Sequence, residues 1–234
     1  MKLSIIMPVY NEKDTTKEII KRVMAVKINK ELIIVDDFST DGTRDILKKL
    51  TNKNIKVVFH EKNYGKGHAI RTGIKHVTGN ITIIQDADLE YNPQEYLMLI
   101  KPIIEGKAGV VYGTRFPKKK AHPSISNPYY PLTNPYYLAN KILTLTSNIL
   151  YNARITDEPT CYKVFKTDIL KSINLKCERF EFCPEVTAKV RKKGYKIFEV
   201  PISYRPRTVK EGKKINWKDG IQAIWTLIKY RFID

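Results

Sequence analysis

Apolar and polar positions alternate in blocks through the first half of the chain, each block the length of one strand or one helix. Leu3–Val9 is a continuous apolar run, β-branched at its centre and ending at Pro8 and Asn11, as expected of a buried strand. Residues 14–26 carry Ile19, Ile20, Val23 and Met24 at helical spacing, so a helix is predicted there. A second strand is predicted over 31–35, stopped by Asp36 and Asp37, and the turn Ser39-Thr40-Asp41-Gly42 leads into a helix bearing Ile46, Leu47 and Leu50. Ile55–Phe59 is a third strand, and the glycine-containing stretch 63–67 opens a helix with Ala69, Ile70, Ile74 and Val77. A fourth strand follows over 80–84. Asn92 and Pro93 read as the cap and first residue of a helix that Pro102 is expected to kink or end. Residues 108–112 form a fifth strand. The rhythm predicts an α/β fold, a Rossmann-like, mostly parallel sheet with helices on both faces.

After residue 115 the rhythm breaks. Residues 116–135 hold Lys118, Lys119 and Lys120 together with five prolines and two tyrosines, and read as a long irregular loop. Helices are predicted over 136–151, 184–193 and 217–230, and a strand over 196–204. The first of these helices spaces Leu138, Ile142, Leu145 and Ile149 as one apolar stripe. Neither an internal repeat nor a separating linker is visible. One domain, 1–234, is expected, with 1–115 and 116–234 as its two halves.

Composition narrows the partners. Lys and Arg number 42 against 24 Asp and Glu, a net charge of +18, and 42% of residues are apolar, which excludes a mainly disordered chain. No apolar run approaches the roughly 20 residues of a membrane span, and no signal peptide is expected before Leu3. Three cysteines, Cys161, Cys177 and Cys183, form no metal-type pair and suit reduced thiols in a cytosol. A charge surplus of this size fits nucleic acid, an anionic membrane or phosphorylated small molecules.

Against that surplus, acidic groups collect where strands end, which is where open α/β sheets bind ligands. Asn11 and Glu12 follow the first strand, Asp36 and Asp37 the second, and Asp86, Asp88 and Glu90 the fourth. In an extended segment the last three carboxylates share one side, and such oxygen ligands suit Mg²⁺ or Mn²⁺. Asp37 reads either as a turn residue or as an acceptor of hydrogen bonds from a nucleobase or ribose. A helix start at Gly65-Lys66-Gly67 offers backbone amides to an anion, with Lys66 beside them. The four histidines, His60, His68, His76 and His122, show no ligand spacing and are given no chemistry.

Met7-Pro8-Val9-Tyr10-Asn11-Glu12, Val35-Asp36-Asp37-Phe38-Ser39-Thr40-Asp41-Gly42-Thr43, Gly65-Lys66-Gly67 and Gln85-Asp86-Ala87-Asp88 together resemble the family 2 glycosyltransferases, whose fold is called GT-A. Gly113-Thr114-Arg115-Phe116, the segment Thr156-Asp157-Glu158-Pro159-Thr160-Cys161-Tyr162-Lys163-Val164-Phe165, Phe180-Glu181-Phe182-Cys183-Pro184-Glu185 and Glu211-Gly212-Lys213-Lys214-Ile215 look like its dolichyl- or polyprenyl-phosphate hexose synthases. The resemblance implies C-terminal helices on the acceptor side. It implies a nucleoside diphosphate-sugar donor held by Pro8, Tyr10, Glu12 and Asp37, and a divalent cation, Mg²⁺ or Mn²⁺, on Asp86, Asp88 and Glu90. Lys213 and Lys214, with Arg205 or Arg207, would close over the diphosphate. Arg115 would meet the acceptor phosphate, and Asp157 is the family-pattern base for a hydroxyl acceptor. The implied reaction inverts a hexose, mannose or glucose, onto dolichyl or polyprenyl phosphate.

Such an acceptor puts the protein at the cytoplasmic membrane face, as a peripheral protein or with a separate anchoring partner. The lysine triplet, Tyr129, Tyr130, Tyr136 and Tyr137, the stripe on 136–151 and the residues Trp217, Ile221, Ile224, Trp225 and Ile228 are the candidates for contact. A glycan or other hydroxyl acceptor is the competing enzyme reading. Nucleic-acid binding is disfavoured, because the lysines are spread evenly and acids line the expected cleft.

Overall fold

The computed structural model describes residues 1–116, 135–207 and 217–233. Among the described residues seven strands form one sheet: β1 (Leu3–Val9), β2 (Lys30–Asp36), β3 (Ile55–Phe59), β4 (Ile81–Ile84), β5 (Val110–Thr114), β6 (Lys163–Lys166) and β7 (Ile197–Pro201). Their order is β3-β2-β1-β4-β6-β5-β7. The β1–β2, β1–β4, β2–β3 and β5–β7 pairs are parallel; β6 runs antiparallel to both its neighbours. Each parallel crossover buries the apolar stripe of a helix, as with Ile19, Ile20 and Val23 of α1 (Lys13–Ala25). Both β1 and β4 are buried along their whole length, so two neighbouring strands at the centre of the sheet aim their carboxyl ends at one place.

The remaining helices are α2 (Thr43–Lys48), α3 (Lys66–Ile74), α4 (Tyr96–Ile104), α5 (Pro135–Tyr151), α6 (Thr167–Ser172), α7 (Phe182–Lys192) and α8 (Trp217–Phe232). Asn92 does cap a 3₁₀ turn, Pro93–Glu95, through its side chain on the Gln94 amide, and α4 continues from it. Pro102 does not end α4, which runs on to Ile104.

The sequence pattern missed β6 and α6. β6 is four residues with a lysine at each end, which hides a buried strand. Lys163 is fully buried because its ammonium donates to the Glu158 carbonyl at 2.6 Å and lies 3.7 Å from the Tyr112 ring centre. The insertion of β6 between β4 and β5 joins the two halves of the chain in one sheet. A smaller core of Leu143, Tyr151, Ala188, Ala223, Leu227 and Tyr230 ties α5, α7 and α8 together.

On the far side of that small core the stripe expected on α5 faces outward. Leu138, Ile142, Leu145 and Ile149 are exposed, as are Trp217, Ile221, Trp225, Ile228 and Phe232 of α8. Among the described residues no helix is long and apolar enough to cross a membrane.

Candidate active site

A cleft of about 310 Å³ opens at the carboxyl ends of β1, β2 and β4. The residue after β1 and the start of α1 contribute Tyr10 and Glu12, and β1 itself Pro8 and Val9. Asp37 follows β2, Lys66 begins α3, and the stretch after β4 supplies Asp86, Asp88 and Glu90; Tyr204 and Arg207 close the far side. Nine residues singled out from sequence, Pro8, Tyr10, Glu12, Asp37, Lys66, Asp86, Asp88, Glu90 and Arg207, therefore line one cavity. Lys118, Lys119, Lys120, Tyr129, Tyr130, Lys213 and Lys214 lie outside the described residues, as does the side chain of Tyr136.

Charge in the cleft is crowded and only partly neutralised from within. Arg207 reaches Glu12 at 3.1 Å and Asp88 at 2.9 Å, and its backbone amide donates to Glu90 at 2.6 Å. Lys66 pairs with Asp86 at 2.6 Å. Burial first, and then the neighbouring charges of Asp86 and Glu90, push the Asp88 carboxyl up to about 8, although Arg207 pulls it down. Burial, the largest single influence, would lower the Lys66 ammonium, yet the Asp86 charge and hydrogen bond, together with the neighbouring Cys161 and Cys183, leave it raised. Arg207 is likewise raised against its burial, chiefly by Asp88.

The carboxylates do not share one face of an extended segment, as the alternate spacing suggested. Residues 87–91 bend, and the Glu90 amide folds back onto Asp88 Oδ1 at 3.1 Å, so Asp86 turns to Lys66 while Asp88 and Glu90 turn to Arg207. Among the described residues no three His, Cys, Asp or Glu side chains group as a metal site. The donor chemistry still fits Mg²⁺ or Mn²⁺. The residues are hard oxygen ligands, they crowd enough to raise Asp88, and they already recruit two cationic side chains.

The helix start at 65–67 is also spent differently from expectation. The Gly67 and His68 amides donate to the carbonyls of Arg179 and Glu178, each at 2.9 Å. Gly65 holds φ +95°, and a Cβ there would lie 2.5 Å from the Glu178 carbonyl oxygen. These glycines admit a neighbouring backbone rather than leave amides open for an anion. Asp37 accepts from the Tyr64 amide at 2.9 Å and the Gly65 amide at 2.6 Å, so it shapes the wall with the same atoms expected to meet a base or ribose.

Arg115 and Asp157 are not brought to the cleft. Asp157 is fully buried and holds the Arg115 Nε and Nη2, each at 2.7 Å, and the Arg115 amide at 2.9 Å. The Tyr204 ring, 4.8 Å from the guanidinium, separates this pair from the cavity, and its hydroxyl donates to Glu90 at 2.9 Å. Asp157 is thus occupied as a counter-ion, where the family pattern implied a base, and Arg115 is sealed where an acceptor phosphate was expected to meet it. Arg205 is exposed and outside the lining; its amide donates to the Glu90 carbonyl at 3.0 Å.

Sequence reasoning missed two lining residues, Arg179 and Tyr204, and gave Phe180, quoted only as part of the family pattern, no place in the cleft; Asn63 stood in the stretch 63–67 already singled out. Arg179 and Phe180 reach the cleft because segment 177–180 packs on Gly65 and Gly67. That glycine pair was the available signal, a close backbone approach from elsewhere in the chain.

With this geometry in place, comparison with known proteins is informative. The family model described as Glycosyl transferase family 2 matches residues 4–173. A UDP-N-acetylglucosamine–dolichyl-phosphate N-acetylglucosaminyltransferase of Methanococcus voltae is 30% identical over 217 residues, covering 85% of this chain and 83% of its own. A dolichol-phosphate mannosyltransferase of Pyrococcus furiosus is 28% identical over 91% of this chain, and the low-salt glycan biosynthesis hexosyltransferase Agl6 of Haloferax volcanii 26% over 99%. The chain spans 59% and 53% of the length of those last two. Among solved structures, glucosyl-3-phosphoglycerate synthase of Mycobacterium tuberculosis with UDP superposes with a TM-score of 0.76 at 18% identity. The match covers 100% of this chain and 81% of the synthase, and shows a shared GT-A fold.

Proposed function

Because the chain belongs to glycosyl transferase family 2, we propose that it moves a hexose, mannose or glucose, from a nucleoside diphosphate-sugar to dolichyl or polyprenyl phosphate with inversion. The observation that carries the donor half is the crowded, cation-neutralised carboxylate set at the carboxyl ends of β1 and β4. Support for the acceptor half comes from the Methanococcus and Pyrococcus relatives, both named for dolichyl-phosphate chemistry. The first of these also brings N-acetylglucosamine into the range of sugars to be tested. The chain acts as one catalytic domain, with 1–115 building most of the donor cleft and 116–234 both completing it, through Arg179, Phe180, Tyr204 and Arg207, and serving the acceptor.

Asp86, Asp88 and Glu90 would hold Mg²⁺ or Mn²⁺, which when bound neutralises the charge gathering on the departing diphosphate. The glycosyl transferase structures solved with Mn²⁺ and UDP, or with Mg²⁺ and UDP, are consistent with that choice. Lys66 and Arg207 stand at the same place as mobile cations. Each exchanges a carboxylate for a phosphate oxygen once the donor enters, aimed where negative charge develops. Lys213 and Lys214 add to that charge.

The closed Arg115–Asp157 pair favours an acceptor that needs no base. A hydroxyl acceptor requires proton removal, whereas a phosphate monoester is already ionised and attacks directly. The acceptor's lipid tail calls for a membrane surface. The exposed apolar faces of α5 and α8, Trp217 and Trp225 among them, are the surface of the described residues suited to it.

Incubation with labelled GDP- and UDP-sugars and a short polyprenyl phosphate, followed by organic extraction, tests the reading. Label in the lipid phase is expected from one donor. No label from any donor, or label only on added glycans, contradicts the lipid acceptor.

A further inference from the structure

The four histidines carry no spacing motif, yet the fold places His60 at the centre of a bonded chain beside the cleft. It directly follows β3, is 8% exposed, and its Nδ1 lies 2.7 Å from Asp37 Oδ1. A carboxylate only accepts, so Nδ1 carries the proton. On the neutral ring Nε2 is left to accept from the Thr72 hydroxyl of α3 at 3.0 Å. Asp37 is itself almost fully buried and takes the amides of Tyr64 and Gly65 on its two oxygens. The Tyr64 ring stacks on His68 at 4.6 Å and stands edge-on to His60 at 5.3 Å. Thr72, His60 and Asp37 therefore clamp the backbone of the 63–66 wall, while the ring cluster clamps its side chain. Asn63, Gly65 and Lys66 of that wall face the cleft.

We propose that His60 is a positioning residue for the nucleoside diphosphate: through Asp37 it fixes the 63–66 wall against which the donor's nucleoside sits. This role rests on the donor reading above. It assigns Asp37 work on the wall itself, in addition to any contact with the nucleotide. With His60 removed, Asp37 keeps the Tyr64 and Gly65 amides but loses the imidazole that holds its carboxylate from the other side, so the loop is held less firmly. Asp86 pairs with Lys66 of this wall, whereas Asp88 and Glu90 bond to Arg207 outside it, so the loss falls chiefly on donor binding.

The test measures UDP and GDP binding by calorimetry with Mn²⁺, steady-state kinetics, and hydrogen exchange at the Tyr64 and Gly65 amides. His60→Ala is expected to weaken binding of the preferred nucleotide by about tenfold, the loss of one charge-assisted hydrogen bond, with KM raised and kcat within about twofold. His60→Asn, whose amide can replace Nδ1–H toward Asp37, restores most of the affinity. Thr72→Val, which cuts only the outer link, costs about threefold and keeps the test alive if His60→Ala does not fold. Faster exchange at Tyr64 and Gly65 accompanies each loss. A folded His60→Ala that binds as wild type, or loses kcat at constant KM, overturns the role. So does an Asn variant as weak as Ala. If the wild-type protein binds neither UDP nor GDP, the donor reading falls and this role with it.

Discussion

The two ends of the same sheet handle carboxylates in opposite ways. At the amino ends of β1 and β2, Glu31 is surrounded by donors: Lys2 at 2.6 Å, Ser4 at 2.6 Å, and the Thr78 amide at 2.6 Å. Its burial alone would raise it, but the hydrogen bonds from Lys2, Ser4 and Thr78 hold it down at about 2. At the carboxyl ends, Glu12, Asp86, Asp88 and Glu90 share Lys66 and Arg207, and Asp88 is pushed up to about 8. One end is satisfied and holds strands together. The other is left with more negative charge than its own cations settle, which is what a site for a cationic ligand requires.

Substitution separates the two ends most sharply. Asp88→Asn is expected to reduce transfer by about a thousandfold or more, the scale of losing a principal electrostatic group. Its melting temperature should stay level or rise, because a buried like charge disappears; a folded variant with wild-type turnover would remove Asp88 from the site. Glu31→Gln should do the converse, costing about 2 kcal/mol in urea unfolding through lost charge-assisted bonds while leaving nucleotide affinity unchanged. A Glu31→Gln protein as stable as wild type would break the contrast from the other side.

Their pH dependences should also oppose. The folded protein holds Glu31 below its ordinary value of 4.5, so its contribution is full above that pH and is lost as pH falls toward 2. Asp88 is held above its ordinary 3.8, so the folded state binds the extra proton and loses stability as pH rises from about 4 to about 8. Urea midpoints of both variants against pH measure this: Glu31→Gln should flatten the acid limb, and Asp88→Asn the limb from 4 to 8. The smallest effect is expected from Arg207→Gln, about a fivefold rise in donor KM, since one of several cations is lost. An unchanged KM would take Arg207 out of donor binding.

The carboxyl-end acids were legible because strand–helix alternation alone places residues 12, 37, 86 and 88 at strand ends. Their partners were not. Lys66 and Asp86 are 20 positions apart, Arg207 and Glu12 are 195 apart, and only the folded sheet order brings them together. The antiparallel β6 was hidden because Lys163 looks polar until the Glu158 carbonyl and Tyr112 ring are seen around it. The resemblance singled out Asp157 and Arg115, but no motif conveys that they bond each other and leave the cleft to Tyr204. Apolar periodicity showed the stripe of α5 without its direction. That depends on α7 and α8 covering the opposite side.

The most direct test of the unsettled carboxyl end is calorimetric titration of Mn²⁺ into the protein with and without UDP or GDP. On the proposed function, Lys66 and Arg207, now paired with Asp86 and Asp88, would compete with the metal until a diphosphate draws them away. Mn²⁺ should therefore bind at least about tenfold more tightly with the preferred nucleotide, and Asp88→Asn should abolish the difference. Mn²⁺ affinity indifferent to both nucleotides, or a nucleotide effect that survives Asp88→Asn, would contradict the account.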